Sequence, residues 1–130
     1  MRREIVIHSL DHARAALAAA AARGKDVTLA SAPGAALQAG PGWFKAVIDE
    51  ARAAFPQVSV TAILDCSDQP GAALAALRLG LVNLRFHGAA ELQEKLAGMG
   101  AILAPPAEAT LDLREIPEPE TACAAFLREA

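Results

Sequence analysis

The feature that most constrains the fold of this chain is a regular alternation between short apolar runs and longer segments that favour helix. The apolar runs are rich in Val, Ile, Leu and Ala, and Gly or Pro residues mark most of the junctions. Runs this short and this continuously apolar are typical of strands buried on both faces of a sheet. The sequence predicts five such strands, at residues 5–7, 27–30, 58–64, 81–86 and 101–104.

Strands that are connected through helices run parallel, with right-handed crossovers in nearly all cases. The alternation therefore predicts a single α/β domain over residues 1–130, with a five-stranded, mainly parallel sheet. A short edge strand over residues 111–113 is a further option. The favoured arrangement is a three-layer, flavodoxin-like sheet with helices on both faces. The alternative is a (β/α) half barrel, which would leave one apolar sheet face exposed.

The segment over residues 31–42 is the longest interruption of this pattern. It consists mainly of Gly, Pro and Ala, and predicts neither a continuous helix nor a strand. It has neither the Gly-Lys-Ser/Thr ending of a phosphate loop nor the G-x-G-x-x-G spacing of a dinucleotide site. We expect either a flexible surface loop or a lid that cradles an anion, with Trp43 and Phe44 as its apolar anchor.

Composition argues against two classes of partner. The net charge is -3 and there is no basic stripe, so no nucleic-acid partner is expected. The apolar stretch over residues 15–22 is far shorter than a membrane span of about 20 residues, so no membrane partner is expected. The first residues do not resemble a signal peptide, and two cysteines favour a reducing, cytoplasmic location. A single disulfide between Cys66 and Cys123 is the alternative.

Reactive side chains follow several of the predicted strands. Ligands bind at the carboxyl ends of parallel strands, because helix N-termini and variable loops meet there. His8 and His87 end two apolar strands, where each is either a general base or metal ligand, or a histidine hydrogen-bonded to a loop carbonyl. Asp65 ends a buried strand, where it would orient His87, bind a cation or act as a base, unless it only braces the loop.

Two further side chains at this edge have alternative interpretations. Cys66 precedes a helix N-terminus, which lowers a thiol pKa and would suit a nucleophile, but the favoured interpretation is a small buried apolar residue. Arg85 would pair with an anionic ligand or with Asp65, unless it only marks a half-exposed strand. The pattern indicates no metal site and does not specify a cofactor. The remaining candidate ligand-binding residues are Ser9, Ser31, Gly34, Ser67 and Gly88.

The stretch VTAILDCSDQPGAALAALRLGLVNLRFHG, residues 60–88, resembles a βαβ unit of aldolase-type (β/α) barrels and of response-regulator receiver domains. The receiver resemblance places Asp65 at the phosphorylated position. The receiver lysine after strand five is absent here, where Ala104 and Pro105 stand. The aldolase Schiff-base lysine is also absent, since no lysine falls at a predicted strand end. The resemblance therefore implies the fold and not the catalytic residues of either family.

Two functions are consistent with these residues. The favoured one is a non-catalytic module that assembles with itself or binds a partner, since no catalytic motif is complete and Ala-rich helices suit close packing between subunits. The alternative is a domain that binds a small anionic ligand, or a lyase-like or hydrolase-like enzyme. Its catalytic residues would be His8, Asp65 and His87, with Cys66 adjacent.

Overall fold

The structure is a computed structural model, which describes residues 2–128. Its strands are Arg3–Ile7 (β1), Val27–Ser31 (β2), Val60–Asp65 (β3), Asn83–Arg85 (β4), Ile102–Leu103 (β5) and Ala109–Asp112 (β6). Its helices are Leu10–Arg23 (α1), Ala35–Gln38 (α2), Pro41–Ala54 (α3), Pro70–Arg78 (α4), Ala90–Gly98 (α5) and Pro119–Arg128 (α6). The interruption over residues 31–42 thus contains the short helix α2 and the start of α3.

Local sequence signals account for the bounds of α1. The Ser9 hydroxyl accepts a hydrogen bond from the His12 amide, which caps the helix N-terminus. Gly24 adopts a left-handed conformation (φ 61°) and ends the helix. The buried face of α1 is mostly alanine, so α3 and α6 both pack closely against it. The buried residues of α1 are Ala13, Ala16, Leu17, Ala19 and Ala20.

The six strands form one parallel sheet with the order β5-β4-β3-β2-β1-β6. The parallel α/β class is therefore confirmed, but the expected number of strands was wrong. The sixth strand is Ala109–Asp112, which pairs with β1 and includes part of the optional edge strand. This strand was hard to predict because its inward and outward positions alternate and its apolar run is short.

The helices of the described chain lie together on one face of the sheet. The first five strands are neighbours in chain order, and right-handed crossovers that always step the same way place every helix on the same side. Helix contacts follow the same row, from α6 through α1, α3 and α4 to α5. The observed strand order differs from the flavodoxin-like order of 2-1-3-4-5, in which the helices are divided between two faces.

The opposite, helix-free face carries a small apolar cluster of Val6, Ala30 and Ile63. β5 and β6 lie at opposite edges of the sheet, so residues 104–108, here called the crossing segment, connect them across this face. Ala104 packs on the small cluster, and the Glu108 amide donates a hydrogen bond to the carbonyl of Arg2. The crossing segment therefore covers part of a face that no described helix covers.

Candidate functional site

A buried ion pair spans the helix-free face. The guanidinium of Arg85 on β4 donates two hydrogen bonds to the carboxylate of Glu4 on β1, at 2.9 and 2.6 Å. β2 and β3 lie between them and present Ala30 and Ile63 to this face, so the ion pair crosses two strands. Arg85 also donates to the carbonyl of Pro105, so the same side chain fixes the crossing segment.

The ion pair also stabilises the charged form of Arg85. Its hydrogen bond to Glu4 raises the pKa of the guanidinium, which burial opposes and the charges of Glu4 and Asp65 assist. Glu4 is 1% exposed, so its carboxylate depends on this partner for compensation. The Arg85 Nε atom is buried without a hydrogen-bond partner. Asp65, the partner expected from the sequence, therefore acts on Arg85 only through its charge. The side chain that Arg85 hydrogen-bonds is Glu4.

Asp65 is held rigidly at the carboxyl end of β3. Its Oδ1 atom accepts hydrogen bonds from the backbone N–H groups of Gly34 (3.0 Å) and Ser67 (2.9 Å). Its own N–H donates to the hydroxyl of Ser31 at 2.8 Å. Its Oδ2 atom lies 3.8 Å from His87 Nε2, which is within ion-pair range but beyond a hydrogen bond. One oxygen of a nearly buried carboxylate therefore has no hydrogen-bond donor among residues 2–128.

These groups surround a cavity of about 300 Å³ on the helix-free face, here called the Asp65 cavity. The sheet forms its floor, the loop after β2 forms one side, and the crossing segment forms another. Its polar side chains include two carboxylates, one guanidinium and one imidazole. It is lined by Glu4, Val6, Ala30, Ser31, Pro33, Asp65, Arg85, His87, Pro106, Ala107 and Thr110.

The chemistry of the Asp65 cavity favours a ligand that donates hydrogen bonds. Among the side chains that line the cavity, Arg85 is paired with Glu4, so the carboxylate of Asp65 has only the His87 imidazole beside its second oxygen, at 3.8 Å. The His87 side chain is 60% exposed, so its imidazole borders the opening of the cavity. A carboxylate accepts hydrogen bonds and attracts cations, and therefore the expected anionic ligand does not match this cavity.

His8 lies in a different place. Its Nε2 atom is 2.6 Å from Asp112 Oδ1 on β6, and its backbone N–H donates to His12 Nδ1. It lines a cavity of about 290 Å³, here called the His8 cavity, which does not include Asp65 or His87. The structure thus brings Asp65, His87 and Arg85 together and separates them from His8. The expected common cleft for His8, Asp65 and His87 is replaced by two cavities on either side of the loop after β2.

Cys66 faces the helices and lines neither cavity. It is fully buried in the main core, and its thiol lies 3.8 Å from the carbonyl of Leu64. Burial, followed by the charge of Asp65, raises the pKa of the Cys66 thiol to about 11. The expected lowering of this pKa was therefore wrong, because desolvation of the thiolate outweighs the helix N-terminus. Cys123 is also buried, and both thiols are free.

The remaining predicted ligand-binding residues have structural roles in the described chain. Ser9 caps α1, and Ser31, Gly34 and Ser67 brace Asp65. The φ angle of Ser67 is 53°, and its carbonyl accepts a hydrogen bond from the His87 amide. At Gly88 a Cβ atom would lie 2.2 Å from the Phe86 ring, so packing explains this glycine without a ligand.

Glu4 and Asp112 are the two functional side chains that the sequence-based prediction missed. Glu4 is the only acid in β1, where three apolar β-branched residues follow it, and Arg85 is the only base in β4. Opposite charges inside two buried strands are a signal for a buried ion pair, which would have linked the two residues. Asp112 offered a weaker signal, since an acid between two leucines is typical of any half-exposed strand.

The described residues form neither a metal site nor a membrane-spanning helix. Within residues 2–128, no group of three or more His, Cys, Asp or Glu side chains is arranged to hold a metal ion. No helix in that range combines the length and apolar character needed to cross a membrane. A cavity of about 440 Å³ at the amino ends of the strands, bordered by Asp26 and Ser59, contains none of the predicted site residues.

Comparison with known proteins adds no further assignment. The chain matches no protein-family profile, and no curated protein matches its sequence. The resemblance of residues 60–88 to barrel and receiver units stays a prediction. The arguments for function therefore rest on the geometry of the two cavities and of the exposed surface.

Proposed function

We propose that this protein is a small-molecule-binding domain and that its ligand occupies the Asp65 cavity. The observation that carries the proposal is the carboxylate of Asp65, which is 5% exposed and keeps one oxygen open toward the cavity. Two backbone N–H groups fix the other oxygen, so the carboxylate is preorganised before any ligand arrives. Preorganisation of this kind lowers the entropic cost of binding.

The ligand class follows from the charges and the size of the cavity. A protonated amine or a hydroxyl group would donate to Asp65, and the exposed imidazole of His87 would contact the same ligand at the opening. A cavity of about 300 Å³ is at the lower limit of small-molecule sites, so the ligand is a small amine or polyol. The proposal is a binding function, since the cavity does not place a nucleophile beside a base.

Ethanolamine, 1,3-diaminopropane and erythritol are suitable probes, with acetate as the anionic control. The amide resonances of Gly34 and Ser67 report directly on the site, because both N–H groups donate to Asp65. We expect at least one of the three donors to shift these two resonances in ¹H–¹⁵N spectra, and acetate to leave them unchanged. Asp65→Asn should weaken that binding about tenfold, because a hydrogen bond to a charged group is lost.

The asparagine variant is a fair test because its amide oxygen still accepts the two braces. Asp49→Asn is the matched control, since Asp49 is exposed on α3 and pairs with Lys45. Unchanged affinity in Asp65→Asn would overturn the proposal, as would the absence of any shift with all three donors.

A second candidate function is self-assembly, which an apolar patch at the β5 edge of the sheet supports. Four large apolar side chains at the amino ends of β4 and β5 are exposed by 36–60%. β5 has no neighbouring strand on its outer side, and its Ile102 amide donates to the carbonyl of Val82 within the patch. A second copy of the chain would cover these side chains. The patch consists of Leu79, Val82, Met99 and Ile102.

Light scattering coupled to size exclusion tests this second candidate. We expect a mass above 13.4 kDa for the native chain, and a return to the monomer mass in the double variant Met99→Lys/Ile102→Lys. Leu37→Lys is the matched control, because Leu37 is 54% exposed and lies on α2 away from the patch. A monomer mass for the native chain at high concentration would reject self-assembly.

A further inference from the structure

The His8 cavity differs in chemistry from the Asp65 cavity. Its ionisable lining residues are His8 and Arg114, and no acidic side chain of the described chain lines it. The rest of its wall is apolar except for Gln38, and it includes the indole of Trp43. This combination of a basic pole and an aromatic wall suits an organic anion, which the Asp65 cavity does not.

Asp112 fixes the orientation of the His8 imidazole. Its Oδ1 atom contacts His8 Nε2 at 2.6 Å and accepts the backbone N–H of Arg114 at 2.9 Å. Burial opposes ionisation of Asp112, but the hydrogen bonds from Arg114 and His8 prevail and lower the pKa of this carboxyl. Because an ionised carboxylate only accepts hydrogen bonds, the Nε2 atom of His8 carries a proton.

The N-terminal end of α3, which borders the cavity, also favours an anion. Trp43 is the third residue of α3, whose N-cap Gly40 supplies no side-chain hydrogen bond and whose first turn contains no acid. The first N–H groups of this 14-residue helix are therefore not capped by a side chain, and its positive end lies beside the cavity. Arg114 and this helix end are therefore two sources of positive potential beside the cavity, and Asp112, which contacts His8, does not line it.

We propose that the His8 cavity binds a small organic carboxylate, whose charged group contacts Arg114 and whose apolar body packs against Trp43. This site is separate from the Asp65 cavity and takes the opposite class of ligand. The proposal does not depend on a ligand in the Asp65 cavity, since the two cavities share no lining residue.

Benzoate and its neutral isostere benzamide are the probes. Trp43 is the only tryptophan of the chain, so its indole N–H resonance is assigned without ambiguity and reports on the cavity. We expect millimolar benzoate to shift this resonance and benzamide to leave it nearly unchanged. Arg114→Gln should weaken benzoate binding about tenfold, because a charged hydrogen bond is replaced by a neutral one. Asp65→Asn should not alter benzoate binding.

Arg78→Gln is the matched control, because Arg78 is exposed at the end of α4 and lines neither cavity. Equal shifts with benzoate and benzamide would overturn the proposal, since the cavity would then recognise only the ring. No shift with benzoate, or unchanged affinity in Arg114→Gln, would overturn it as well. The amides of Gly34 and Ser67 distinguish this failure from a failure of the Asp65 cavity.

Discussion

Replacement of Arg85 by methionine should lower the free energy of unfolding by about 3–5 kcal/mol, which is the usual cost of leaving a buried charge without its partner. The Glu4 side chain is 2% exposed, and Arg85 donates to both of its oxygens. Arg2 lies 3.9 Å from the same carboxylate but is 36% exposed, so it would compensate only in part. Urea denaturation followed by circular dichroism gives the free energy directly.

The double variant Glu4→Leu/Arg85→Met separates the unpaired charge from the loss of packing. Replacing both members of a buried ion pair by apolar residues is often neutral or stabilising, so the double variant should recover most of the lost stability. A loss below about 1 kcal/mol in Arg85→Met alone would mean that solvent reaches Glu4. It would also contradict the claim that the crossing segment covers this part of the face.

The second large effect is expected in the main core, at Phe44. Phe44→Ala should cost about 3–5 kcal/mol, because the site loses apolar contacts and keeps a cavity. Phe44 is the largest of the fully buried side chains within residues 2–128, and it lies on α3, which packs against α1 and β3. Many domains have only about 5–15 kcal/mol in total, so this variant would unfold at a much lower urea concentration.

Leu37→Ala provides the contrast for Phe44→Ala in the same part of the chain. Leu37 is 54% exposed on α2, so we expect its replacement to change stability by no more than about 0.5 kcal/mol. Equal destabilisation of the two variants would contradict the conclusion that Phe44 anchors the start of α3. The sequence-based idea of a loop anchored by Trp43 and Phe44 thus divides into two roles, a core role for Phe44 and a cavity role for Trp43.

The helix-free face unites these results with the proposed function. An exposed apolar sheet face is unfavourable, and this protein covers it with the crossing segment and a buried ion pair instead of helices. Glu4 and Arg85 line the Asp65 cavity on the side of the sheet, and the crossing segment forms one of its walls. The stability of the Glu4–Arg85 pair and the shape of the ligand site are therefore expected to change together.

The sequence located the reactive edge but not the groupings along it. That Asp65 and His87 lie at the carboxyl ends of parallel strands follows from the order of apolar runs, because each strand is reached through a helix. Asp112 is 104 residues from His8, and Glu4 is 81 residues from Arg85. Pairings at such separations depend on strand order, which local periodicity does not contain.

The direction of the Cys66 pKa shift is another property that local sequence does not determine. A position before a helix N-terminus favours the thiolate, whereas burial favours the thiol. The sequence contains both signals, and only the packed core decides that burial is the larger.

The sequence by itself determined the parallel α/β class, the bounds of α1 and the edge at which the polar side chains gather. These depend on short-range physics, namely the burial of apolar runs, helix capping by Ser9 and a left-handed Gly24. The tertiary structure decided the strand order, the single layer of helices and the division into two cavities. Each of these depends on which strand lies beside which, and that is fixed only when distant segments compete to bury the same apolar surface.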